Sequence, residues 1–144
     1  MFYSNILKDN QEHFKIRIKE VLGPEAKVSF AFDDALEVVI FNDSRFVGSV
    51  SMSDFPSNCG SIIFHNASFK DTLSEDSVKK VMDFFLEMAY FMGFSQVLYA
   101  ATENQSKLRT HLKNAGFKSV ESVGFRNKRT NNYIDHFFFN FWGN

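Results

Sequence analysis

Apolar and polar residues alternate along this chain with two periods. Residues 8–22 place Phe14, Ile18, Val21 and Leu22 on one face, with Lys15, Arg17, Lys19 and Glu20 elsewhere, which predicts an amphipathic helix. Gly23-Pro24 stops it. Val28, Phe30 and Phe32 then alternate, residues 36–41 are apolar and β-branched, and Asn42-Asp43-Ser44 reads as a turn. Phe46, Gly48, Val50 and Met52 resume the period of two, so this stretch predicts an antiparallel hairpin. Residues 54–60 form a loop and residues 61–69, SIIFHNASF, a further strand.

The clearest helical signal follows. Val78, Val81, Met82, Phe85, Met88, Ala89 and Met92 recur at helical spacing. Thr72 to Ser77 supply hydroxyl and acidic groups for its start, and Gly93 its stop. A buried strand at 95–101, a helix at 105–114 with Leu108, Leu112 and Ala115 on one face, and strands at 118–125 and 133–141 complete the order. One α/β domain over 1–144 is expected, with a mixed, mainly antiparallel central sheet and helices on both faces. The unit from Ser61 to Ala101 is a candidate right-handed parallel crossover.

Composition narrows the function. The chain is 44% hydrophobic with 19 Phe, which predicts a Phe-rich core. Sixteen basic and 17 acidic residues give a net charge of −1, which argues against nucleic acid as the default partner. Lys107, Arg109, Lys113, Lys118, Arg126, Lys128 and Arg129 concentrate positive charge late in the chain, as a solvated face or an anion site. A single cysteine, Cys59, excludes an internal disulfide. With no signal-peptide pattern and no long apolar run, a cytoplasmic protein without a membrane segment is expected. His13, His65, His111, His136 and Cys59 show no ligand-pair spacing, so no metal site is expected.

Gly93, the strand QVLYAAT, Asn104, Ala115-Gly116-Phe117 and the final YIDHFFF, in that order, resemble the GCN5-related N-acetyltransferase (GNAT) family over nearly the whole chain. The resemblance implies acetyl-CoA as co-substrate and a small-molecule or protein amine as acceptor. In the family, the pantetheine arm adds like a strand to the fourth strand, here the backbone of Asn66, Ala67, Ser68 and Phe69. The pyrophosphate sits on the N-terminus of the long helix, here Leu73, Ser74 and Ser77. Asn104 and Lys107 then fix the far side of the cofactor. His65 and His111 are the candidate catalytic groups, since histidine exchanges protons near neutral pH. Glu37 and Asp43 are further carboxylate candidates.

The chain departs from the family at two points. The family turn reads (Q/R)-x-x-G-x-(G/A), yet no glycine lies between Gly60 and Gly93, and Glu75 and Asp76 occupy the turn. The family's acid is a Tyr four residues before the Gly-Phe glycine, where Leu112 stands beside His111. These departures suit a second reading, a GNAT-like protein without catalysis that binds another protein. A homodimer through the last strand, with Phe138 and Trp142 outward, is also open. The Lys-, Asn- and Phe-rich composition is compatible with a bacteriophage source.

Overall fold

A computed structural model describes residues 2–54, 60–120 and 134–143. Cys59, the cluster Arg126, Lys128 and Arg129, most of the expected 54–60 loop, and the inner parts of the last two expected strands lie outside them.

The elements are α1 (Phe2–Lys8), α2 (Gln11–Leu22), β1 (Ala26–Phe32), β2 (Leu36–Asn42), β3 (Arg45–Asp54), β4 (Ser61–Phe69), α3 (Glu75–Phe91), β5 (Gln96–Thr102), α4 (Ser106–Asn114), β6 (Lys118–Val120) and β7 (Ile134–Asn140). The helix expected over 8–22 is α2, and a further short helix, α1, which the pattern did not mark, precedes it. The ladder of α1 closes at Asp9 and Asn10, whose amides bond to Asn5 and Leu7, and the Asn10 side chain donates back to Ile6 O at 2.6 Å. Leu7 is fully buried and seats α1 on the core.

Among the described residues, seven strands form one sheet in the order β1-β2-β3-β4-β5-β7-β6. All neighbours are antiparallel except β4 and β5. The β2–β3 hairpin turns at Asp43 and Ser44, both with positive φ, the conformation that matches the twist of two-residue hairpins. The outer side of β7 pairs with β6 at His136, Phe137 and Phe138, so that stretch is not a free edge.

The buried side chains of neighbouring strands are cross-strand partners: Val28 with Ile40, Val38 with Val50, Met52 with Phe64, Ile62 with Val97, and Tyr99 with Phe137. They therefore share one face. There α3 sets Val81 near Gly48, α2 sets Phe14 edge-on to Phe84 of α3, and α4 sets Arg109 over the Phe137 ring. The expectation of helices on both faces resolves, among the described residues, to α2, α3 and α4 on one side. Topology explains this for α3 and α4, because the β4–β5 and β5–β6 crossovers step the same way along the sheet, and right-handed crossovers that do so lie on the same face, while α2 is held there by its packing on α3. The other face carries Lys27, Ser29, Glu37, Ser49, Ser51, Ser53, His65, Ala100 and His136.

Helix α3 buries every apolar position its periodicity marked, together with Phe84 and Leu86. It ends at Gly93, whose φ of 96° suits a left-handed stop. Phe85 is fully buried at the centre of this packing. Truncation by Phe85→Ala is expected to cost about 3–5 kcal/mol, read as a lower denaturant midpoint at unchanged slope. A loss below about 1 kcal/mol would show that α3 is not the spine of the core.

Candidate functional site

Strands β4 and β5 run parallel for only three residue pairs, Ser61 with Gln96, Ile62 with Val97, and Ile63 with Leu98. Beyond them the strands separate, although β4 continues to Phe69 and β5 to Thr102. A bulge accompanies the separation. Ser51 opposes His65 and Ser49 opposes Ser68, so Val50 faces both Asn66 and Ala67. Asn66 takes φ 51°, a left-handed conformation asparagine tolerates better than most residues. The extra residue reverses the facing of β4, as a one-residue bulge does. His65 points to the face away from the helices, which also carries Val39, Ile63 and Leu98, whereas Phe69, opposite Gly48, points to the helix face. Gly48 makes room for this, because a Cβ there would lie 3.0 Å from the Phe69 ring and 3.2 Å from Ser68 O.

Past the bulge, Lys70 N–H bonds to Val47 O of β3 at 2.9 Å, and Ala67 N–H points the other way, into the split. Strand alternation turns the N–H and C=O of Phe69 to that same side. The partner of Ala67 N–H is the Tyr99 phenol oxygen of β5, at 3.0 Å. Tyr99 is 4% exposed, and burial raises its phenol above the ordinary range, opposed by the hydrogen bond it accepts from Ala67, so it stays un-ionised at neutral pH.

A cleft of about 190 Å³ opens here, lined by Ala67 to Asp71, Leu73, Val78, Lys107, Leu108 and His111. Of the residues singled out in the sequence, Ala67, Ser68, Phe69, Leu73, Lys107 and His111 line it. Ser74 and Ser77 do not line it and serve the helix itself. Ser74 Oγ accepts from Ser77 N–H at 3.2 Å and donates to Ser77 Oγ at 3.0 Å. One of the free amides of the α3 terminus is thus taken, and Glu75 and Asp76 fill the first turn. Lys107 reaches across from α4 to Asp71 O at 3.4 Å. Asn104 does not begin α4. It accepts from the Thr102 hydroxyl, while Gln105 occupies the N-cap position and takes Thr102 N–H at 2.9 Å.

The two candidate histidines lie on opposite faces of the sheet. His65 Nε2 is 2.9 Å from Ser53 Oγ, and its other ring nitrogen is 3.4 Å from the Asn66 amide nitrogen. His111 sits edge-on to Phe69, ring centres 5.5 Å apart, inside the cleft rather than on the free surface. Its neighbour Leu112 is fully buried, in keeping with the roughly 100° between successive helix positions. Burial lowers the His111 pKa from its ordinary value, Lys107 lowers it further, and Glu75 opposes them. The imidazole is therefore neutral at neutral pH. Glu37 and Asp43 line no part of the cleft. Arg109 and Asp135 form an ion pair that ties α4 to β7. Among the described residues no three His, Cys, Asp or Glu side chains gather in a metal-binding group. No described helix is long and apolar enough to cross a membrane.

No family model matches the sequence, and no curated protein matches it. Solved structures do match the fold. A probable acetyltransferase from Staphylococcus epidermidis ATCC 12228 is similar at TM-score 0.59 and 15% identity, over 96% of this chain and 91% of that one. A probable GNAT-family acetyltransferase from Chromobacterium violaceum ATCC 12472 is similar at TM-score 0.59 and 15% identity, over 76% of this chain and 60% of its own length. A GCN5-related N-acetyltransferase from Brucella melitensis gives TM-score 0.61 at 14% identity, over 76% of this chain and 52% of its own. The chain thus spans little more than half the length of the latter two. The mixed sheet flanked by helices is GNAT-like, and at these identities the likeness speaks for the fold.

The electrostatic account of His111 is open to direct test. Its ring protons are expected to titrate below the ordinary value of about 6.5 in an NMR pH series. Lys107→Met is expected to raise that midpoint and Glu75→Gln to lower it. Because native His111 resists protonation, its contribution to stability is present above the unfolded value and declines as pH falls through it. Shifts of the opposite sign would contradict the placement of these charges.

Proposed function

We propose that the cleft between β4, α3 and α4 binds an acyl thioester of the acetyl-CoA type and supports acyl transfer to an amine. The observation that carries this reading is the split itself. It leaves a strand edge on which Phe69 turns its N–H and C=O away from β3 and Ala67 N–H is held only by the Tyr99 hydroxyl, beside a cleft that contains a neutral imidazole. An extended amide-bearing arm adds to such an edge by backbone pairing. The cleft is smaller than the roughly 300–1,000 Å³ usual for a whole ligand, which suits the thioester end of a long molecule lying mostly outside.

The residues fit the parts of acetyl-CoA unequally. Ala67 and Phe69 suit the amide arm, and Leu73, Val78 and Leu108 suit its apolar contacts. Lys70 and Lys107 supply positive charge at the rim. The first turn of α3 does not fit a diphosphate, since two carboxylates there oppose it by about one to several kcal/mol, depending on screening. When bound, the thioester supplies an activated acyl carbon. His111 Nδ1 or Nε2, being neutral, accepts the proton that an amine must lose before it attacks. Phe69 and Leu73 limit water around that exchange.

The same turn supports a second reading, in which the chain has no catalysis and works through another protein. A helix end capped by its own Ser74, with Glu75 and Asp76 complementing its dipole, is stabilised without a ligand. Calorimetric titration of acetyl-CoA and CoA separates the two. Micromolar binding supports the thioester site, and Asp76→Asn is then expected to tighten it several-fold by removing one opposing charge. No heat of binding at high protein concentration, for the parent and for Asp76→Asn alike, would reject the acyltransferase reading.

A further inference from the structure

We propose that two copies of this chain join through the outer edge of β1, pairing antiparallel about Phe30 into one continuous sheet. The edge is open because β1 ends the strand order. Asp43 N–H bonds to Glu25 O across the β1–β2 ladder at 3.1 Å. Strand alternation then turns the backbone groups of Lys27, Ser29 and Ala31 toward β2, and those of Val28, Phe30 and Phe32 outward. Ala26 also faces outward but is already satisfied. Its N–H bonds to Gly23 O at 3.1 Å, and its carbonyl accepts from Lys19 Nζ at 3.0 Å. No described residue takes the outward groups of Val28, Phe30 and Phe32.

Antiparallel pairing of identical strands is two-fold symmetric, so the segment must complement its own reverse. Residues 27–33, KVSFAFD, do so about Phe30. In that register Val28 faces Phe32 of the second copy, Phe30 its own counterpart, Ser29 Ala31, and Lys27 Asp33. Every outward residue meets another outward residue, as backbone pairing requires. Pairing about Ser29 instead sets Asp33 against Glu25, and pairing about Ala31 sets Asp34 against Val28, so charge selects Phe30 as the centre. A lysine on an edge strand ordinarily opposes pairing. Here Lys15, Lys19 and Lys27 stand toward the Ala26 end, while the exposed Asp33 and Asp34 follow Phe32, and reversal brings the basic end of each copy to the acidic end of the other. A groove of about 380 Å³ between α2 and β1 lies beside Val28, with Ile16, Ala26 and Val28 as its apolar part. Ile16 is 60% exposed, and the half-buried Phe32 of the second copy, opposite Val28, covers it. Lys8 lies over the Phe32 ring at 5.5 Å, and Glu12 on the groove offsets its charge.

The test is sedimentation equilibrium of the parent and two charge variants. The parent is expected to be largely dimeric at about 100 µM. Lys27→Asp and Asp33→Lys each set like charges opposite one another at both ends of the pairing, and each is expected to weaken the dimer about ten-fold. An equimolar mixture of the two variants restores opposite charges at both ends and is expected to associate as tightly as the parent. Both positions are exposed, and circular dichroism checks that each variant is folded. Amide hydrogen exchange at Val28 and Phe30 is expected to slow as parent concentration rises. A parent that stays monomeric at that concentration overturns the proposal. So does a dimer that neither substitution weakens, or one whose added protection lies on the last strand and not on β1.

Discussion

Two parallel strands that cease to pair after three residues leave backbone groups that must find other partners. Much of this molecule's arrangement follows from that constraint. The bulge at Asn66 and Ala67 turns β4 over, so that Phe69 faces the helices while His65 faces away from them. The Tyr99 hydroxyl accepts from the Ala67 amide that the split leaves without a strand partner. Helix α3 rises from the end of β4 and α4 from the end of β5, so the mouth of the split is bounded by one helix start and by the His111 face of the other.

The electrostatics of the mouth are divided. Lys70, Asp71 and Lys107 line it, and Glu75 and Asp76 stand in the first turn of the adjoining α3. Helix capping accounts for the acidic side without any ligand, since carboxylates in a first turn complement the helix dipole. The same groups weigh against a diphosphate. His111 lies between these influences, and its desolvation outweighs the pull of Glu75. Fold and strand edge thus point toward a thioester site, while the helix terminus is built for its own stability.

The elements were largely legible in the sequence because their signals are local. The α3 periodicity, the stops at Gly93 and Gly116 and the alternation of β1 to β3 each need only neighbouring residues. The site was legible only in part. The cleft-lining segment from Ala67 to Phe69 and the residues Leu73, Lys107 and His111 were singled out by their order in the chain. Tyr99 was not, because its role depends on an amide 32 residues away in sequence. The bulge carried one weak signal, an asparagine within a strand, with no glycine or proline beside it. Asn104, matched to the family by type, accepts from the Thr102 hydroxyl instead, and Gln105 stands at the N-cap of α4 without a side-chain cap bond, an arrangement that cap preference does not anticipate. The placing of α3 and α4 on one side follows from strand order, which no local pattern reveals.

The account centres on β4 as an open strand edge that receives a ligand where β5 has moved away. Backbone amide NMR during addition of CoA tests this most directly. The account predicts that the Ala67 amide shifts most, as its bond to Tyr99 is exchanged, with Phe69, Leu73 and Lys107 following and Ser29 and Glu37 on the opposite face unmoved. An unchanged spectrum at saturating CoA, or shifts confined to the Ser49, Ser53 and His65 face, would contradict it.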